Sequence, residues 1–193
     1  MNTWQNLFVD MEQRFIFKAN YSVNSKAELS PVGGPVVAFG PENTNPNIGL
    51  DGGPLCMIFP TGSAAWMASF KFGYSSPLAL SGIFSTPNPE ILCVVAGGFG
   101  YWVDVFQQTK SDIKCFPVRQ VRVFENPDLL VFADHTRLAA YDANGLKWRT
   151  DRLVLDDLCI VDRDISVLTC EGLDGTAAMT VQFQVDLFSG LKL

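Results

Sequence analysis

The stretch Leu129–Thr150, with the sequence LLVFADHTRLAAYDANGLKWRT, contains the strongest hairpin signal of the chain. Two short apolar runs, Leu129–Ala133 and Leu138–Tyr141, flank the polar connection Asp134-His135-Thr136. Asn144-Gly145 then separates the second run from a third, and Asn-Gly supplies the positive φ that a two-residue hairpin turn requires. The stretch therefore predicts three short antiparallel strands.

The same kind of pattern continues on both sides of this stretch. Val118–Phe124 alternates apolar and polar residues upstream, and Ile165–Cys170 is typical of a strand between two polar turns. Val181–Leu187 alternates without a fault, which predicts a half-buried strand. Its inward side chains would be Val181, Phe183, Val185 and Leu187. We therefore predict a run of antiparallel strands from Val118 onward.

The first half of the chain is less regular. Asn2-Thr3 could cap a short helix that ends near Met11, while Arg14–Lys18 could begin a strand. Ser30–Gly53 is rich in Gly and Pro, which predicts a long loop around one short apolar piece, Val36–Phe39. We expect residues 1–90 to be irregular and loop-rich, and residues 91–193 to hold the regular strands.

These patterns together predict one all-β or β-dominated domain over residues 1–193. The expected architecture is an antiparallel meander that forms a sandwich or a propeller-like sheet assembly, with at most a short N-terminal helix. Asp104, Asp142 and Asp186 each end a strand-like segment and lie 38 and 44 residues apart, as blade-like antiparallel units would. The expected core consists of Val94, Val103, Val121, Val123, Val131, Leu138, Leu153, Val167, Val181, Phe183 and Val185.

Composition and charge exclude several classes of protein. The 193 residues are 48% hydrophobic and 18% charged, unlike a disordered chain. A formal net charge of −6 lacks the basic excess that phosphate contacts require, so we expect no nucleic-acid partner. The N-terminus Met1–Phe17 does not resemble a secretory signal, and charged residues and prolines interrupt the apolar stretches. We therefore expect a cytoplasmic protein with no membrane partner.

The cysteines and glycines give no sign of a metal or a cofactor. Each cysteine lies beside apolar residues and no two form a CxxC motif, which favours buried free thiols. The five cysteines are Cys56, Cys93, Cys115, Cys159 and Cys170. The glycine-rich Gly97–Gly100 precedes a strand rather than a helix, which favours a hairpin turn over a phosphate-binding loop.

Two polar segments are candidates for chemistry. His135 and Asp134 could form a dyad, but the chain has no GxSxG nucleophile elbow, so we interpret His135 as a turn residue. Asp156, Asp157, Asp162 and Asp164 form the densest acidic stretch. The aspartates do not have the spacing of an EF-hand, because apolar residues lie between them. The pattern favours a strand with solvated ends.

Trp148, Arg149 and Arg152 are candidates for an interaction surface, because Trp and Arg often anchor protein interfaces. With Asp134 and His135 they form the predicted site. The alternative is that Trp148 fills the core end of the hairpin while Arg149 pairs with a nearby Asp.

Several segments resemble known groups of proteins. The C-terminal half, roughly residues 94–190, resembles a group of uncharacterised bacterial β-rich proteins. Members of that group usually carry Asp-Gly where this chain has Asp156-Asp157. The resemblance rests on Gly98–Asp104, Gly145–Leu153, Asp156–Leu158 and Phe183–Gly190. Leu129–Thr150 is also similar to a repeat of quinoprotein-type β-propellers. The resemblances imply a shared architecture of meandering strands, with no assigned activity and no quinone cofactor.

Three hypotheses about function follow. The leading one is a non-enzymatic binding or protein-interaction module for a protein or a small molecule, because aromatic residues are abundant and no catalytic constellation is visible. The alternative is a carboxylate-dependent hydrolase that uses Asp134, or Asp156 with Asp157, and needs two acids with separated pKa values. The third is a homodimer formed through the open edge strand Val181–Leu187.

Overall fold

A computed structural model describes residues 11–25, 35–41, 53–73, 78–175 and 179–193. Sixteen β-strands and no helix lie within these residues, so the all-β class is confirmed. The short helix predicted from Asn2-Thr3 falls on residues 1–10 and lies outside the described residues. The described part of the chain contains no helix long and apolar enough to cross a membrane.

The strands form four sheets, which we number I to IV. Sheet I has the order β2-β4-β5-β3 and contains β2 (Tyr21–Asn24), β3 (Val36–Phe39), β4 (Leu55–Pro60) and β5 (Trp66–Phe70). Sheet II has the order β1-β6-β7-β8-β9 and contains β1 (Glu12–Arg14), β6 (Gly82–Ser85), β7 (Ile91–Ala96), β8 (Phe99–Asp104) and β9 (Thr109–Asp112). The pairs β1–β6 and β3–β5 are parallel, and the other pairs are antiparallel.

Sheets III and IV are simple antiparallel meanders. Sheet III contains β10 (Gln120–Glu125), β11 (Asp128–Ala133), β12 (Leu138–Asp142) and β13 (Gly145–Arg149) in chain order. Sheet IV contains β14 (Asp156–Arg163), β15 (Val167–Leu173) and β16 (Thr180–Asp186) in chain order. These seven strands confirm the predicted antiparallel run after Val118, with boundaries that move by up to three residues.

The sheets stack face to face in the order I, II, III, IV, with one apolar core between each neighbouring pair. Strand β11 shows why two of the sheets are buried on both faces. Leu129 and Val131 lie in the core shared with sheet IV, while the alternate residues Leu130 and Phe132 lie in the core shared with sheet II. Because side chains alternate along a strand, an almost continuous apolar run supplies both cores.

Most of the predicted core residues occupy these cores. Six are buried, namely Val94, Val103, Val121, Val131, Leu138 and Val185. Four are partly buried and pack against a core, namely Val123, Leu153, Val181 and Phe183. Val167 was expected in the core but is only half-buried, because Leu168 and Cys170 take the inward positions of β15.

The three aspartates that share the repeated pattern have one structural role. Asp104, Asp142 and Asp186 end β8, β12 and β16, respectively. The Oδ1 of Asp104 accepts the backbone N–H groups of the second and third residues after it, at 2.9 and 2.8 Å. The Oδ1 of Asp142 accepts the backbone N–H of the second residue after it at 2.8 Å. Asp186 accepts two, at 3.1 and 2.7 Å. Each carboxylate therefore fixes the turn that follows its strand.

Candidate ligand-binding groove

Side chains, rather than paired backbones, join the edge strands of sheets III and IV. Gln120 on β10 binds both polar groups of Ile160 on β14: its Nε2 donates to the Ile160 carbonyl at 3.1 Å, and the Ile160 N–H donates to its Oε1 at 2.9 Å. Arg122 Nη2 donates to the same carbonyl at 3.1 Å. We call this junction between β10 and β14 the seam.

Two further contacts mark the ends of the seam. Arg119 Nη1 donates to Asp157 Oδ1 at 3.0 Å at the start of both strands. The guanidinium carbon of Arg163 lies 5.0 Å from the ring centre of Phe124 near their ends. Because the contacts follow the same order on both strands, β10 and β14 run in the same direction along the seam.

The seam opens into a groove of about 300 Å³. Three edge strands from three sheets contribute to it: β1 of sheet II, β10 of sheet III and β14 of sheet IV. The lining residues are Arg14, Arg122, Val123, Phe124, Ile160, Val161, Asp162 and Arg163. The groove thus combines four charged side chains with apolar strand residues, of which Phe124 and Ile160 are buried.

The charged lining of the groove consists of three guanidinium groups and one carboxylate. Asp162 Oδ1 accepts the backbone N–H of Arg163 at 2.8 Å, and Arg14 forms an ion pair with Glu12, which lies outside the lining. Arg122 uses one N–H group on Ile160. A guanidinium has five N–H donors, so these bonds leave donors on each arginine for a ligand.

A second polar cluster lies where the connection between β11 and β12 meets the start of β14. His135 Nδ1 is 2.7 Å from Asp156 Oδ1 and 3.5 Å from Arg119 Nη1. His135, Asp156 and Asp157 offer metal-ligand atoms that lie within 4.8 Å of one another. The Arg119 guanidinium already supplies a positive charge to Asp157, so we interpret the cluster as an ion network that joins sheets III and IV.

The carboxylates of this region differ in exposure and bonding. The backbone N–H of Asp157 and the His135 ring hold the pKa of the Asp156 carboxyl below its usual value. Asp156 and Asp157 are both exposed, whereas Asp134 is buried. Asp134 Oδ1 accepts the backbone N–H groups of Thr136 and Arg137 at 2.6 and 2.8 Å. Asp134 therefore shapes its own turn.

The structure separates Trp148 from the two predicted surface arginines. Trp148 is buried in the core between sheets III and IV, where its Nε1–H donates to the Leu187 carbonyl at 3.0 Å. Its ring packs so closely on Gly190 that an added Cβ would lie 2.6 Å from Cε3. This placement agrees with the alternative in which Trp148 fills the core end of the hairpin.

Arg149 and Arg152 are exposed, but they do not share a surface with the Trp148 ring. Arg149 follows Trp148 on β13 and therefore points to the opposite face of sheet III. Arg152 donates to the carbonyls of Val154 and Leu155 at 3.0 and 2.6 Å, and so holds the segment that leads into β14.

All five cysteines are free thiols. The expected burial is confirmed for Cys56, Cys93, Cys115 and Cys170, and burial raises the pKa of Cys56 and Cys170 to about 12. The expectation is wrong for Cys159, which is exposed at the seam beside Gln120.

Sequence reasoning missed the arginines of the groove. Arg122 was visible as a charged residue between the valines of β10, and Arg163 as part of a polar turn. An arginine inside an otherwise apolar strand is a signal for a polar site at a sheet edge. Nothing in the sequence links these two residues to Arg14, because only the stacking of the sheets brings them together.

Comparison with known proteins gives no independent assignment. No protein-family model matches the chain, and no curated protein is significantly similar to it. The groove, the seam and the ion network are therefore the features that bear on function.

Proposed function

We propose that the protein is a non-enzymatic binding module whose ligand occupies the groove between β1, β10 and β14. The observation that carries the proposal is the convergence of edge strands from three sheets on one site that combines apolar and arginine side chains. Small-molecule sites measure roughly 300–1,000 Å³ and use a few polar or charged groups to fix the orientation of the ligand. A groove of about 300 Å³ suits a small molecule.

The hydrolase alternative has less support. A carboxylic general acid needs a raised pKa near neutral pH, whereas the pKa of Asp156 is lowered by its hydrogen bonds. The Asp134 carboxylate is occupied by the N–H groups of its own turn. The groove lining itself contains a single carboxylate, so it does not offer the pair of acids that this chemistry requires.

The free cysteines bear on the cellular compartment in which the module acts. Free thiols suit a reducing compartment such as the cytoplasm. The resemblance of residues 94–190 to bacterial proteins suits a bacterial source. We therefore propose a cytoplasmic binding module of a bacterium.

Native mass spectrometry of the full chain, purified gently from its own host, tests the proposal. Val161 lines the groove and is 41% exposed, so Val161→Trp should fill the groove without disturbing a core. Leu155 is 44% exposed and lies outside the groove, which makes Leu155→Trp a matched control.

We expect a bound molecule on the wild-type protein and on the Leu155→Trp control, and its loss from Val161→Trp. A wild-type protein that carries no molecule would contradict the proposal. Retention of the molecule by Val161→Trp would contradict it as well, because the ligand would then lie elsewhere.

A further inference from the structure

We infer that the ligand of the groove is an anion with a phosphate or carboxylate group, held by Arg122 and Arg163 with support from Arg14. The inference rests on the proposed function and adds the chemical class of the ligand. The groove differs in charge from the rest of the molecule.

The chain as a whole repels anions, since its formal net charge is −6. An anion therefore binds only where positive charge is concentrated locally. The groove provides such a place, with three guanidinium groups and one carboxylate, and that carboxylate already accepts a backbone N–H. Arginine is the side chain best suited to the site, because its planar fork of donors matches the oxygens of phosphate and carboxylate groups.

Arg122 and Arg163 are also held in place before a ligand arrives. Arg122 is anchored on the Ile160 carbonyl at 3.1 Å, and Arg163 lies over the Phe124 ring at 5.0 Å. Ordering a flexible side chain is one of the costs of binding. The folded protein has already ordered both arginine side chains, so their remaining donors are available to a ligand in a defined orientation.

Arg14 already has an anionic partner within the protein. Its guanidinium forms an ion pair with the Glu12 carboxylate, which lies two residues away on β1. The Glu12 carboxylate thus occupies donors that an anionic ligand would use. Neutralising Glu12 should therefore strengthen ligand binding, a result that a loss of folding cannot imitate.

Isothermal titration calorimetry with inorganic pyrophosphate and with citrate tests the inference, with glucose as the neutral probe. We expect both Arg163→Gln and Arg122→Gln to weaken anion binding at least about tenfold, the factor expected for a charged hydrogen bond. Arg163→Lys should recover part of the loss, because it keeps the charge but not the fork. Glu12→Gln should tighten binding about threefold, as expected for removal of one exposed competing charge.

Arg149→Gln is the matched control, because Arg149 is exposed and lies outside the groove. It should change anion affinity less than twofold, which corresponds to less than about 0.4 kcal/mol. Preference for pyrophosphate or for citrate would identify the group that the arginines recognise, and either preference supports the inference.

Two results would overturn it. If neither anion binds the wild-type chain, the ligand class is wrong. The proposed function would still stand if native mass spectrometry found a neutral molecule on the wild type that is lost from Val161→Trp. If the anions bind equally well to wild type, Arg122→Gln and Arg163→Gln, they bind outside the groove.

Discussion

Asp157 adopts a left-handed backbone conformation, with φ of 55°, near the start of β14. This conformation costs a residue with a side chain roughly 1–2 kcal/mol, although Asp and Asn tolerate it better than most. The ion pair of Asp157 with Arg119 offsets little of the cost, because exposed pairs contribute only about 0–1 kcal/mol.

Comparison of Asp157→Gly with Asp157→Ala isolates the backbone cost at this position. Both variants lose the carboxylate, and only the alanine variant keeps a Cβ. We expect Asp157→Gly to be more stable than Asp157→Ala by about 1 kcal/mol in urea unfolding. An alanine variant that equals or exceeds the glycine variant would contradict the left-handed conformation, because alanine is favoured wherever φ is negative.

Strands whose contacts lie close in sequence could be predicted, and the seam could not. The alternation of Val181–Leu187 predicted β16, and Asn144-Gly145 predicted the turn before β13. The side-chain bonds between Gln120 and Ile160 join strands that do not pair with each other. Sequence periodicity reports which face of a strand is buried, and it carries no information about what touches the strand edge.

The seam predicts a specific stability effect of Gln120→Ala. Ile160 is buried, and its N–H donates to the Gln120 side chain, so the substitution leaves a buried donor without its partner. The cost should be about 1–3 kcal/mol. Gln182→Ala is the control, since Gln182 is exposed and its amide donates to the Glu171 side chain at the surface, and should cost less than about 0.5 kcal/mol. Equal urea midpoints for the two variants would argue against the seam.

At the scale of the whole molecule, the four stacked sheets place the edges of three of them around one groove. The all-β class and the meander of the second half could be predicted, because antiparallel strands follow one another along the chain. The parallel pairs β1–β6 and β3–β5 join segments that are distant in sequence, and no local pattern indicates them. The pairing of β1 with β6 places Arg14 at the groove, so the contribution of Arg14 could not be predicted from the sequence either.

Sheet IV should make the stability of the whole molecule sensitive to acid. The Asp157 backbone N–H and the His135 ring lower the pKa of Asp156, and the Ser189 hydroxyl and N–H lower the pKa of Asp186. A carboxyl with a lowered folded-state pKa stabilises the fold above its unfolded pKa, about 3.9, and this stabilisation is lost as pH falls through the folded value.

We therefore expect the free energy of unfolding to fall as pH drops from about 5 towards 2. The variant with both Asp156→Asn and Asp186→Asn should show a flatter pH profile in urea unfolding than the wild type. Asp128→Asn removes an exposed carboxylate at the start of β11 and should keep the wild-type profile. If the free energy of unfolding of the double variant falls with pH as steeply as that of the wild type, these two carboxylates are not the origin of the acid sensitivity.

NMR of the ¹⁵N-labelled full chain during titration with pyrophosphate and citrate shows directly whether the arginine-lined groove is the ligand site. If the groove is the site, the amide shifts change most at Arg122–Phe124 and Ile160–Arg163, with a smaller change at Arg14. Shifts that move mainly in other parts of the molecule, or no shift with either anion, would contradict it.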